Sequence, residues 1–94
     1  GDVVNVHSLR KGAAEALEAV AHGDYKSSKV VGRTIANINL PEGATIGAIV
    51  RAEEVILASG EVMIQAEDHV IIFVSNKKQI PAVEQLFQVG LTFF

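Results

Sequence analysis

The chain has 94 residues, which suffice for one compact domain but not for two. Hydrophobic residues make up 49% of it and charged residues 20%, a balance that is typical of folded proteins and excludes the disordered class. The net charge of −3 without a basic tract argues against nucleic acid as a partner, and the absence of cysteine excludes disulfides, a thiolate zinc site and a cysteine nucleophile.

The first quarter of the chain predicts a strand followed by a helix. Residues 3–8 form the predicted strand. Residues 13–22 predict a helix because their apolar residues recur at three- and four-residue spacing and therefore share one face. These residues are Ala13, Ala16, Leu17, Val20 and Ala21. Gly23 is the residue type usually found just past a helix end.

The middle of the chain predicts short strands separated by tight turns. In chain order we expect an extended piece at 29–31, a helical turn at 32–38, a turn at 40–43, and strands at 45–51, 55–58, 62–64 and 69–75. The last strand is the most apolar and is predicted to be buried on both faces. Its unbroken apolar run, residues 70–74, is far shorter than the roughly 20 residues of a membrane-spanning helix.

A closing helix is predicted at residues 77–87. Asn76 is a suitable N-cap, and Pro81 is tolerated if it lies in the first helical turn. Consecutive short strands favour antiparallel pairing. We therefore expect an α+β, two-layer domain with a mainly antiparallel sheet of about five short strands, a helix after the first strand and a closing C-terminal helix.

Catalytic and metal sites find little support in the sequence. The three histidines, His7, His22 and His69, have no second ligand at a chelating spacing except Asp68, and adjacent strand residues point to opposite faces. No nucleophile motif and no glycine-rich phosphate-binding motif is present. We predict no catalytic residue, no metal and no cofactor in this fragment, and hence no enzyme. A small hydrolase or metal enzyme is the disfavoured alternative.

Two groups of cations leave an anion site open. Arg10, Lys11 and Gly12 stand immediately before the predicted helix, whose free N–H groups would attract an anion. Arg33 and Arg51 each lie beside a predicted turn or strand. All four cations could also be ordinary surface charges. The alternative is a site for a phosphorylated small molecule.

Surplus apolar residues predict an interface. The strand at 45–51 is apolar on both faces, so either both are covered within the domain or one meets a partner. We expect a homodimer whose interface includes Ile46, Ala48 and Val50. The apolar tail at 91–94 is a second candidate for such a contact.

Long segments of the sequence resemble the C-terminal domain of the TrkA family of potassium-uptake regulators. The segments are VHSLRKGAAEA at 6–16, SKVVGRTI at 28–35, LPEGATIGAIVR at 40–51 and IQAEDHVIIF at 64–73. The tail from 86 to 94 also resembles the C-terminus of these proteins. The resemblance covers nearly the whole chain.

This resemblance implies a regulatory role without catalysis. Family members are cytoplasmic proteins, peripheral to the inner membrane, that assemble on a TrkH- or TrkG-type potassium transporter. In them a Rossmann domain that binds NAD precedes a smaller domain like this one. The resemblance thus implies that residues 1–94 form a single domain of a longer chain, with the Rossmann domain upstream.

The family also implies dimerisation and a small-molecule ligand, which in some relatives is a cyclic dinucleotide at the dimer interface. The positions that would contact it here are Arg33, Ile46, Ile49 and Arg51. A stand-alone sensor of a nucleotide-like anion, unrelated to transport, is the alternative function.

Overall fold

A computed structural model describes residues 3–9 and 14–88 of the chain, and of the first segment it describes only the side chain of Val6. The strands are β1 Val3–Leu9, β2 Ala14–Val20, β3 Ala44–Arg51, β4 Glu54–Leu57 and β5 His69–Val74. The helix α1 spans Ile80–Phe87, and short 3-10 turns lie at Ile35–Asn37 and Lys77–Gln79.

The five strands form one sheet in the order β1-β2-β5-β3-β4, and every neighbouring pair is antiparallel. α1 and the connecting segments cover one face. The opposite face has no layer over it among the described residues. The buried hydrophobic residues on the covered side include Leu17, Ala19, Ile46, Ile49, Val70, Ile72, Val74, Val83 and Phe87. The α+β prediction with an antiparallel sheet and a closing helix is therefore confirmed.

The helix predicted at residues 13–22 is wrong, because residues 14–20 form strand β2. Burial alternates along it, with Glu15, Leu17 and Ala19 buried and the residues between them half-buried. Its Ala- and Glu-rich sequence fits a helical spacing and a two-residue spacing equally well. Pairing with β1 on one side and β5 on the other decides the outcome, because strand formation depends on tertiary neighbours more than on intrinsic preference.

The segment between β2 and β3 is organised by local hydrogen bonds. The piece predicted as extended at 29–31 is a turn, in which the buried Ser28 hydroxyl accepts the N–H groups of Val30 and Val31 at 3.0 and 2.9 Å. The strand predicted at 62–64 is reduced to a single bridge between Thr34 and Met63. The predicted helical turn at 32–38 is confirmed by the 3-10 turn.

The closing helix starts as the sequence predicts. The Asn76 side chain accepts the N–H of Lys78 at 2.8 Å, and the Gln79 side chain accepts the N–H of Asn76 at 3.1 Å, which completes a capping box. Pro81 lies in the first turn of α1. No helix among the described residues is long and apolar enough to cross a membrane.

Candidate functional site

Arg33 is held at the surface by backbone acceptors and by an aromatic ring. Its Nη1 donates to the carbonyl oxygens of Ser28 at 2.6 Å and Val31 at 3.3 Å. The guanidinium carbon lies 4.3 Å from the centroid of the Tyr25 ring, a cation–π distance. These contacts fix the orientation of the guanidinium, so a ligand that meets it would find it already positioned.

Two adjacent depressions share Arg33 and Asn37 in their walls. The larger, of about 720 Å³, is lined by Lys29, Arg33, Asn37, Asn39, Leu40, Pro41, Ala82, Gln85 and Leu86. The smaller, of about 380 Å³, is lined by Tyr25, Gly32, Arg33, Thr34, Asn37 and Met63. We call the two together the Arg33 groove. Neither lining set contains a carboxylate, and together they offer cations, amides and two hydroxyls, which suit an anionic or hydrogen-bonding ligand.

Arg51 is engaged in an ion pair within the fold. Its Nε and Nη2 donate to the two carboxylate oxygens of Asp68, both at 2.9 Å, and Nη2 also donates to the Met63 carbonyl at 3.0 Å. The Asp68 side chain is 1% exposed and also accepts the N–H of Gln65 at 2.8 Å. Hydrogen bonding to Asp68 raises the pKa of Arg51. The pair ties the end of β3 to the start of β5.

Of the four predicted ligand contacts, only Arg33 lines the groove. Ile46 and Ile49 are 4% and 0% exposed and belong to the core, and Arg51 lines neither depression. A ligand role for these three residues stays a prediction, and their placement gives it no support. The sequence reasoning also overlooked Asn37, whose polar side chain between the core residues Ile35 and Ile38 was the available signal.

The cationic site predicted at Arg10, Lys11 and Gly12 lies outside the described residues. Such a site requires the N-terminus of a helix directly after Gly12. Because β2 occupies that place, the free N–H groups of a first helical turn are not there to bind an anion.

The uncovered side of the sheet carries a largely apolar surface, which we call the open face. By strand register its apolar residues are Ala16, Ala48, Val50, Val55, Leu57, Ile71 and Phe73. Thr45 and the Glu18–His69 pair lie on the same face. Ala48 and Val50 from the predicted dimer interface are half-buried there, whereas Ile46 points into the core. Val55, Leu57 and Phe73 are 63%, 77% and 44% exposed.

Two histidines pair with carboxylates. His22 Nδ1 lies 3.1 Å from Glu67 Oε1, and His69 Nδ1 lies 2.5 Å from Glu18 Oε2. Within the part of the chain that the structure describes, no three histidine or acidic side chains gather in a group that could hold a metal ion.

A solved structure titled "Structure of RCK domain with cda" has a similar fold. It aligns with a TM-score of 0.59 and 18% identity, over 78% of this chain and 97% of that chain. At that identity the likeness shows the fold alone.

Sequence relatives extend the comparison. The potassium uptake protein TrkA of the Trk system from Halomonas elongata is 65% identical over 94 residues, all of this chain and 21% of that protein. Its Haemophilus influenzae counterpart is 48% identical over 93 residues, 99% of this chain and 20% of that protein. The chain thus spans about a fifth of the length of these relatives. The model of the TrkA-C domain matches residues 25–88, and this chain belongs to the TrkA C-terminal domain family.

Proposed function

We propose that this chain is the non-catalytic regulatory domain of a TrkA-type potassium-uptake protein, in which it supports subunit dimerisation and senses a small molecule. The observation that carries the proposal is the 65% identity to a TrkA protein along the full 94 residues. In the longer protein the domain follows a Rossmann domain that binds NAD and acts, on the cytoplasmic side of the inner membrane, with a TrkH- or TrkG-type transporter.

The Arg33 groove is the site that we assign to the small molecule. Arg33 is fixed there by its backbone acceptors, and the exposed Lys29 adds a second cation to the wall. None of the described residues that line the groove is a carboxylate, which would repel an anion. A nucleotide-like anion fits this set, because cations and amides can bind phosphate oxygens and base edges.

Calorimetry with cyclic dinucleotides and adenine nucleotides tests the sensing function. We expect one of them to bind the 94-residue chain and Lys29→Glu to abolish the heat, because the change reverses a charge in the wall of the groove. Lys26→Glu is the matched control, since Lys26 is exposed and lines neither depression. Absence of heat with every nucleotide would remove the sensing function.

Potassium-limited growth tests the regulatory function. A strain lacking its TrkA protein is complemented with the longer protein, either intact, with Lys29→Glu or without this domain. We expect the intact protein to restore growth and the shortened one to fail. Equal growth with the shortened protein would overturn the regulatory role, whatever calorimetry shows.

A further inference from the structure

One of the two edges of the sheet is formed by β4, which the strand order places at the end beside β3, and no described residue pairs with its outer side. β4 has only four residues, Glu54–Leu57, and its register with β3 runs without a bulge. Proteins protect exposed edges with short strands, charged side chains, proline or a bulge, and β4 is short and begins with the charged Glu54. Beyond Glu54, the segment from Val55 to Leu57 has no charge, no proline and no bulge, so this part of the edge is open to pairing.

The hydrogen-bond pattern of the β3–β4 hairpin shows which backbone groups of β4 are turned outward. The Ala58 N–H donates to the Gly47 carbonyl at 3.2 Å, and in an antiparallel ladder such bonds recur at every second residue. Glu54, Ile56 and Ala58 therefore direct their backbone groups to β3. Val55 and Leu57 direct theirs away from it.

We propose that β4 pairs antiparallel with β4 of a second copy of this chain, in a register centred on Ile56. This inference rests on the proposed dimerisation and specifies its interface. In this register Val55 faces Leu57 of the second copy, and Leu57 faces Val55. Both outward-directed residues thus form hydrogen-bonded pairs, which gives four backbone bonds between the chains.

The side chains of β4 favour this register. Val55 and Leu57 are 63% and 77% exposed on the open face. Pairing places Val55 of each copy beside Leu57 of the other copy. The two Glu54 carboxylates then stand at opposite ends, about 14 Å apart at about 3.4 Å per residue. That separation exceeds the Debye length of about 8 Å at physiological salt, so their repulsion is screened. A register centred on Val55 would give fewer bonds and place Leu57 beside Glu53.

The occupant is a second copy because the edge is complementary to itself. A two-fold axis between the two Ile56 residues places every outward-directed N–H opposite a carbonyl of the other copy, and every exposed apolar side chain of β4 beside another. The paired sheets would also join the two open faces into one continuous surface.

Cysteine cross-linking tests the register, because the natural chain has no cysteine. Ile56→Cys would place two thiols at a pair without hydrogen bonds, whose Cα atoms are about 4.5 Å apart, within disulfide range. Val55→Cys is the matched control, since its counterpart is displaced by two residues, about 9 Å away in all and beyond that range. With oxidised glutathione we expect covalent dimers from Ile56→Cys and few from Val55→Cys. The reverse result would overturn the register.

Sedimentation velocity on variants without cysteine tests the edge independently. Leu57→Pro removes an outward N–H but no bond to β3, and it should weaken self-association about tenfold or more, since two of the four bonds are lost. Val6→Lys, on the strand at the other end of the sheet, should leave association unchanged. A wild-type dimer that Leu57→Pro does not weaken would overturn the edge pairing and keep the proposed dimerisation. A wild-type monomer at every concentration would remove both.

Discussion

Asp68 is a buried carboxylate whose charge is compensated within the fold. It receives two hydrogen bonds from Arg51 and one from the Gln65 N–H. A buried charge is costly unless such partners are present. The Arg51 side chain is 33% exposed, so water screens part of its attraction to Asp68.

Replacing Asp68 by asparagine keeps the shape but removes the charge. We expect Asp68→Asn to lower the free energy of unfolding by about 2 kcal/mol, the value of hydrogen bonds to a charged group. Urea denaturation, monitored by circular dichroism, measures this change in the free energy of unfolding. Glu61→Gln, at an exposed acid, should change the value by less than about 0.5 kcal/mol. Equal effects of the two substitutions would show that the ion pair contributes nothing specific.

Asp24 controls the turn that carries Tyr25. The pKa of its carboxyl lies below its ordinary value of 3.8, chiefly because the Ser27 backbone N–H donates to it, with the Ser27 hydroxyl and the Lys26 N–H as further donors. Because the pKa of Asp24 is lower in the folded chain than its ordinary value, the ionised carboxylate stabilises the folded turn. That contribution is complete above pH 3.8 and is lost as the pH falls through the lowered pKa.

Nuclear magnetic resonance can follow this titration. The amide proton of Ser27 should shift with an inflection below pH 3.8, while Asp24→Asn should show no such inflection. An inflection at or above 3.8 in the wild type would contradict the assigned hydrogen bonds.

Among the elements, the closing helix depends on the Asn76 side chain, which caps the 3-10 turn leading into α1. Asn76→Ala removes the acceptor for the Lys78 N–H and should cost about 1 kcal/mol of unfolding free energy. Asn76→Asp retains an acceptor and should stay within a few tenths of the wild type. Chemical denaturation compares the three proteins. A loss for the aspartate variant equal to that for alanine would argue against capping.

Elements with unambiguous local chemistry were predictable from the sequence. Asn76 and Pro81 mark the start of the helix because capping and ring geometry act over a few residues. β2 was not predictable, because Ala-Glu repeats satisfy two spacings and its strand neighbours lie far away in the chain. Arg51 is among the predicted ligand contacts, but its pairing with Asp68 depends on the fold, because the two residues are 17 positions apart. Arg33 lines the groove, but its neighbours there, such as Gln85, come from a distant helix and could not be predicted from local sequence.

At the scale of the whole molecule, α1 closes the covered side of the sheet through Val83 and Phe87. Phe87 is 1% exposed, so Phe87→Ala should lower the unfolding free energy by about 3–5 kcal/mol. Phe73→Ala is the control, because Phe73 is 44% exposed on the open face and its loss should cost about 1 kcal/mol. Thermal and urea denaturation measure both. Similar losses would mean that the open face is covered in solution.

The central position of β5 has a consequence for how the chain acquires its structure. β5 pairs with both β2 and β3, yet it is the last of the five described strands to leave the ribosome. Its pairing with β2 joins residues from 49 positions apart (Val20 and His69) to 59 positions apart (Glu15 and Val74), and such distant contacts slow folding. The N-terminal strands must therefore wait, with their edges unpaired, until synthesis has passed Val74. A nascent chain that pauses before that point would present those edges to chaperones and to other chains.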